Sequence, residues 1–155
     1  MAAYYFDASA VVKQYVDEAG SGCVRQLLDP DAHHEIHMAA IGKVAVVAAV
    51  TRRWRSGGRA PSDARSLIHE FQSDLKSRWF VAEMAESLLD EATELAVRHF
   101  LRGYDAVHLA AALRAGRLRD EAFLTGVTLV CADDALNAAA TAEGLAVLNP
   151  ITYAP

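Results

Sequence analysis

The chain has 155 residues, 53% hydrophobic and 23% charged, which excludes low-complexity disorder and fits a single domain spanning 1–155. A formal net charge of −5 argues against bulk electrostatic binding of DNA, so any nucleic acid must be met by a local basic patch or through bound cations. No apolar run reaches the ~20 residues of a membrane span, and Met1 to Asp7 carries no signal-peptide pattern. Cys23 and Cys131 have neither metal spacing nor a disulfide framework, so both are expected to be small buried hydrophobes in a reducing cytoplasm.

Ala3 to Phe6 is a short apolar run that ends at Asp7 and reads as a buried strand. Ser9 is placed to cap a helix from Ala10 to Val16. Gly20-Ser21-Gly22 breaks the pattern, and Cys23, Val24, Leu27 and Leu28 give the face of a short second helix. Glu35 to Met38 is a second strand. From Ala40 to Trp54, the residues Ile41, Val44, Ala45 and Ala48 recur at helical spacing and predict an inward stripe. Ser56-Gly57-Gly58-Arg59 ends that helix. Pro61 opens the next, with Leu67, Ile68, Phe71 and Leu75 on its buried face.

Phe80 to Met84 is a third strand, and Leu88, Leu89, Ala92, Leu95 and Ala96 mark a helix ending near His99. Tyr104-Asp105 leads into a very apolar helix, Ala106 to Ala115, closed by Gly116. Thr128 to Ala132 is a fourth strand that stops at Asp133. Leu136 to Glu143 is a helix capped by Gly144, and Leu145 to Leu148 is the last strand. Short apolar strands alternating with helices predict an α/β fold, a central sheet of parallel strands covered on both faces.

Ligands of such sheets bind beyond the carboxyl ends of the strands. Two predicted strands end there in an aspartate, Asp7 and Asp133, and a third, Asp105, opens an otherwise apolar helix. Each has an ordinary structural reading. Asp7 and Asp105 suit helix caps, and Asp133-Asp134 suits a solvated turn. Carboxylates converging at one edge repel, however, and a hard divalent cation such as Mg²⁺ or Mn²⁺ supplies the missing charge.

Phe6-Asp7-Ala8-Ser9-Ala10-Val11-Val12-Lys13-Gln14-Tyr15 resembles the opening motif of PIN-domain ribonucleases, in particular VapC-type toxins of bacterial toxin–antitoxin pairs. Arg102-Gly103-Tyr104-Asp105-Ala106-Val107-His108-Leu109-Ala110 resembles the third acidic motif of that family, and Cys131-Ala132-Asp133-Asp134-Ala135-Leu136 the fourth. The match runs from about Tyr4 to Pro150. It implies a PIN-like three-layer fold with a short, mostly parallel central sheet flanked by helices. It also implies a metal-dependent endoribonuclease that cleaves single-stranded or loop RNA, with Asp7, Asp105 and Asp133 holding Mg²⁺, or Mn²⁺ in its place. Ser9 would orient Asp7 from behind, and Asp134 would be an accessory acid.

The family pattern has a further glutamate in the helix after the second strand, and here Ala45 stands at that position. Lys43 and Glu35 are the nearest charges, and neither sits on the right turn to replace it. An engineered Glu→Ala change and a natural degenerate lineage both give this pattern. Either predicts weak metal binding and poor cleavage. Arg52, Arg53, Arg55, Arg59 and Arg65 form the densest basic cluster and are candidate RNA contacts, with Trp54 among them. Arg98 and Arg102 form a second. A solvated helix end is the plainer account of Arg52 and Arg53, and core burial that of Trp54. His33, His34 and His37 fit no ligand spacing and are expected in a loop and at a strand edge.

The resemblance implies a small VapB-like antitoxin as partner, bound in a hydrophobic groove over the acidic site, and a homodimer. Val11, Val12, Tyr15 and Val16 offer apolar surface for such contacts, although core burial accounts for them more simply. A catalytically silent PIN-like module that binds an antitoxin or RNA is the main alternative. A receiver-like domain is a weaker one, because Asp7 stands alone and no lysine follows Lys76.

Overall fold

The computed structural model describes residues 1–58 and 61–153. The strands β1 (Ala3–Phe6), β2 (Glu35–Ala39), β3 (Trp79–Ala82), β4 (Val127–Val130) and β5 (Ala146–Leu148) form one sheet in the order β3-β2-β1-β4-β5. Every pairing in it is parallel. The helices are α1 (Ala8–Tyr15), α2 (Ser21–Leu27), α3 (Gly42–Ser56), α4 (Pro61–Ser77), α5 (Glu86–His99), α6 (Gly103–Glu121) and α7 (Asp134–Ala142). The three layers expected from the sequence are present, and this strand order is not the 2-1-3-4-5 of flavodoxin-like receivers.

Alternation along the strands builds two cores. Tyr5, Ala39, Val127 and Leu129 face α5, α6 and α7, where Leu88, Leu95, Leu109 and Leu136 meet them. Phe6, Ile36, Met38 and Val130 face the other way, toward α1, α2, α3 and α4. Val11, Val12 and Tyr15 of α1 lie in this second core, so they are not surface for a partner. Burial of such side chains contributes about 1.5–3 kcal/mol each. The Tyr15 hydroxyl, buried with the ring, donates to Asp74 Oδ2 at 2.6 Å and ties α1 to α4. Among the described residues, no helix is long and apolar enough to cross a membrane.

Three local expectations need correction. Asp7, not Ser9, is the N-cap of α1, which therefore begins at Ala8. The buried face of α3 is Gly42, Val46 and Val50 rather than the stripe through Val44 and Ala48; Val44 is 69% exposed and Ala45 lies half-buried. Gly42 lies against the Met38 side chain, where a Cβ would meet its Cε. The glycine lets helix and strand approach. Finally, α6 does not stop at Gly116 but runs on to Glu121, with Gly116 buried in its interior.

The extra turns of α6 carry Arg119, which is buried and anchored. Its Nη1 donates to Glu35 Oε2 at 2.6 Å and its Nε to the Thr125 carbonyl at 2.7 Å. His37, hydrogen-bonded to Glu35, stacks on Phe80 with ring centroids 5.2 Å apart. Burial pushes the His37 pKa below its usual value despite the Glu35 carboxylate, and Arg119 adds to the depression. Burial does the same to His108. A depressed histidine takes up its proton in the unfolded chain first, so native stability falls as pH drops below about 6.5. Thermal unfolding between pH 7.5 and 5.5 should show this loss, and His37→Gln should remove part of it.

Candidate active site

The strand order reverses around β1, so the crevice between β1 and β4 is where an open parallel sheet presents its site. Asp7 follows β1 directly and its N–H donates to the Val130 carbonyl of β4 at 3.3 Å. The carboxylate is 5% exposed and fully engaged. Oδ1 accepts from the Ala10 N–H at 2.8 Å, which makes it the cap of α1. The Ser9 hydroxyl lies 3.0 and 2.8 Å from the two oxygens, and the Cys131 thiol donates to Oδ2 at 3.4 Å. Ser9 thus helps to hold the Asp7 carboxylate.

Asp133 lies beyond β4 and caps α7, with Oδ1 accepting from the Leu136 N–H at 2.9 Å. Its own N–H donates to the Cys131 sulfur at 3.2 Å. Cys131 is therefore more than a core hydrophobe, since it links the backbone of one aspartate to the carboxylate of another. Burial and the neighbouring Asp7 charge push its thiol pKa up, keeping the S–H that donates. Cys23 is half-buried and, like Cys131, a free thiol.

Asp105 is not a cap. It sits in the first turn of α6, and its Oδ2 accepts from Arg102 Nε at 3.0 Å. The same guanidinium donates through Nη2 to Asp133 Oδ2 at 3.4 Å. Hydrogen bonding to Asp105, with the charges of both aspartates, holds the Arg102 pKa above its usual value. Oxygens from two separate elements thus already share one cation. A guanidinium stands where these two acids need positive charge, and hard divalent ions such as Mg²⁺ are commonly held by one or two carboxylates plus water.

Asp7 faces Ser9, Ala10 and Cys131 instead of this cation, and among the described residues no three His, Cys, Asp or Glu side chains are grouped to hold a metal. Ala45 supplies no oxygen. Asp134 is exposed at the start of α7 and shares none of the bonds joining Asp105 to Asp133 or Asp7 to Cys131.

Beneath the carboxylates lies a buried polar link that the sequence pattern did not single out. The Tyr5 hydroxyl accepts from the Ala39 N–H at 3.1 Å and pairs with His108 Nδ1 at 2.9 Å. Donation by Tyr5 to Nδ1 satisfies all three groups and assigns the proton of the neutral imidazole to Nε2. The link ties β1 to the end of β2 and to α6, one turn below Asp105. A histidine three residues after Asp105 on a helix was the available signal.

The basic cluster divides. Arg53 grips Glu18 at 2.7 and 3.3 Å, and Glu18 in turn holds the buried Lys13 at 2.9 Å, so Arg53 fastens α3 to the segment after α1. Arg52 and Arg55 are exposed, and Arg55, Arg65 and Trp54 line a cavity of about 560 Å³ between α3 and α4. Arg59 lies outside the described residues. His34 accepts from the Ala2 N–H and packs edge-on against Tyr4, while His33 turns the preceding loop with φ 52°. Neither approaches a ligand role.

The same α/β fold is found in solved structures. VapBC2 from Rickettsia felis, bound to a DNA fragment from its promoter, matches with a TM-score of 0.60 at 15% identity, covering 95% of this chain and 98% of the other. FitAcB from Neisseria gonorrhoeae matches with a TM-score of 0.56 at 13% identity, covering 97% and 99%. Among curated proteins, Ribonuclease VapC45 of Mycobacterium tuberculosis (strain CDC 1551 / Oshkosh) is 35% identical over 113 residues, 72% of this chain and 76% of the relative. Ribonuclease VapC46 of Mycobacterium tuberculosis (strain ATCC 25618 / H37Rv) is 30% identical over 151 residues, 97% of this chain and 99% of the relative. No family model matches. The chain belongs to the VapC ribonuclease family.

The double duty of Asp7 predicts separable effects. Asp7→Ala removes the cap of α1 and should destabilise the protein by about 1–2 kcal/mol in urea unfolding, whereas Asp7→Asn should keep most of that stability.

Proposed function

We propose that this chain is a metal-dependent endoribonuclease toxin of the VapC type whose cleavage is strongly impaired because residue 45 is alanine. The observation that carries the reading is the convergence of Asp105 and Asp133 on one cation. Asp105 and Asp133 would hold Mg²⁺ or Mn²⁺, with Asp7 nearby, and the ion would activate water and stabilise the leaving oxygen of an RNA phosphodiester. Ser9 and Cys131 keep Asp7 aimed, and the Tyr5–His108 pair keeps β1 and α6 in register beneath the site. Arg52 and Arg55 are the exposed guanidinium groups proposed to meet phosphates; Arg53 is withheld by Glu18.

Partners follow the same family. A small VapB-like antitoxin is proposed to bind over the acidic site, in the cytoplasm where RNA is encountered. Self-association is proposed on α5, where Leu89, Thr93 and Val97 form one exposed stripe continued by Phe100 and Tyr104. Glu86 and Asp90 lie toward one end of it and Arg98, which also pairs with Glu143, toward the other. Antiparallel apposition of two copies therefore sets opposite charges together around an apolar seam. Val97→Glu should lower the mass measured by light scattering to that of one chain; an unchanged dimer mass would place the interface elsewhere.

Ala45→Glu tests the enzymatic reading. With Mn²⁺ or Mg²⁺ on a mixed structured-RNA substrate, it should accelerate cleavage by roughly 10- to 100-fold, the range over which metal-site support acts. Asp7→Asn in that background should abolish it. Ala45 also favours a second reading, the silent module. Failure of Ala45→Glu to cleave while still binding metal would select that reading.

A further inference from the structure

We infer that Arg102 is an internal counter-cation, a positioning residue that occupies the charge-neutralising place between Asp105 and Asp133 and competes there with a divalent ion. This rests on the proposed reading of the aspartates as a cation site. The guanidinium reaches the two carboxylates through different nitrogens, Nε to Asp105 at 3.0 Å and Nη2 to Asp133 at 3.4 Å. Asp105 is on the helix that Arg102 precedes, whereas Asp133 comes from the far side of β4, so the contact clamps two elements and not merely one turn.

Its exposure leaves the contact open to competition from solvent. The Arg102 side chain is 79% exposed, against 15% for Asp105 and 34% for Asp133. Asp105 is carried by the first turn of α6 and Asp133 by the cap of α7, whereas the guanidinium over them lies mostly in solvent. An arginine so placed can swing into solvent at little loss, because exposed ion pairs are individually weak. Without it, two carboxylates face one another with no cation between them. Removing the arginine therefore raises the attraction for any ion that can enter.

The inference differs from a phosphate-binding role for Arg102. A phosphate contact leaves metal affinity unchanged and weakens RNA binding alone. Internal competition makes the arginine an opponent of the metal, with an effect visible when no RNA is present.

The test is Mn²⁺ binding to the metal-free protein, followed by titration calorimetry and by the electron paramagnetic signal of free Mn²⁺. Arg102→Gln should bind Mn²⁺ about three- to tenfold more tightly than the parent chain, the range expected from releasing two exposed ion pairs. Arg102→Lys, which keeps the charge but loses the fork, should show a smaller gain. Arg117→Gln removes the same charge from a pair with Glu91, away from the aspartates, and should leave Mn²⁺ affinity unchanged. In thermal unfolding, Mn²⁺ should raise the midpoint of Arg102→Gln more than that of the parent. If the parent binds Mn²⁺ and both Arg102 variants bind equally or more weakly, the inference is overturned while the proposed site stands. A gain in Arg117→Gln equal to that in Arg102→Gln also overturns it, since net charge alone would then be the cause. If no form binds Mn²⁺, the inference and the proposed metal site both fail.

Discussion

Carboxylates gathered at one edge of a parallel sheet repel one another, and the arrangement around the crevice of this protein is organised by how that repulsion is met. Asp7 is neutralised locally, by the N-terminus of α1, the Ser9 hydroxyl and the Cys131 thiol. Asp133 turns one oxygen to the N-terminus of α7 and the other to Arg102. Asp105 depends on Arg102. Helix N-termini favour negative charge, so two of the three aspartates are stabilised by the very elements that they start. The chain thus meets the charge of its acids with groups of its own.

Two of these acids serve as caps of the helices that follow them. An aspartate at the end of a strand and the start of a helix satisfies orphan N–H groups with one oxygen, while the other meets a different partner, Ser9 and Cys131 at Asp7 and Arg102 at Asp133. The topology then decides which such aspartates meet. Because β1 and β4 are neighbours at the point where strand order reverses, Cys131 reaches Asp7 across 124 residues of sequence and links it to the backbone of Asp133. Asp105 arrives from above on α6, held in place by the Tyr5–His108 link.

The alternation of short apolar strands with helices was legible, and so were the three aspartates, because strand ends and helix starts leave local signatures. Finer placement was not. The face of α3 includes a glycine packed against Met38, a tertiary contact with no local signal, and the stripe drawn through Val44 missed it. The end of α6 was misread because Gly116 looks like a terminator but is a packing position inside a longer helix. Arg53 looked like a free phosphate contact until the fold brought Glu18 to it. Cys131 read as apolar filling because the carboxylate it touches is distant in sequence. Each miss involves a partner that only the folded chain supplies.

Membership of the VapC ribonuclease family rests on relatives that span most of this chain, whereas the state of its site rests on geometry. The central claim is that the Asp105–Asp133 pair is a cation site presently satisfied by Arg102. Anomalous diffraction from Mn²⁺-soaked crystals of the Ala45→Glu form tests it most directly. The account predicts a manganese peak between the Asp105 and Asp133 carboxylates with the Arg102 guanidinium displaced into solvent. A crystal whose Arg102 still bridges both carboxylates, with manganese bound elsewhere or not at all, would contradict it.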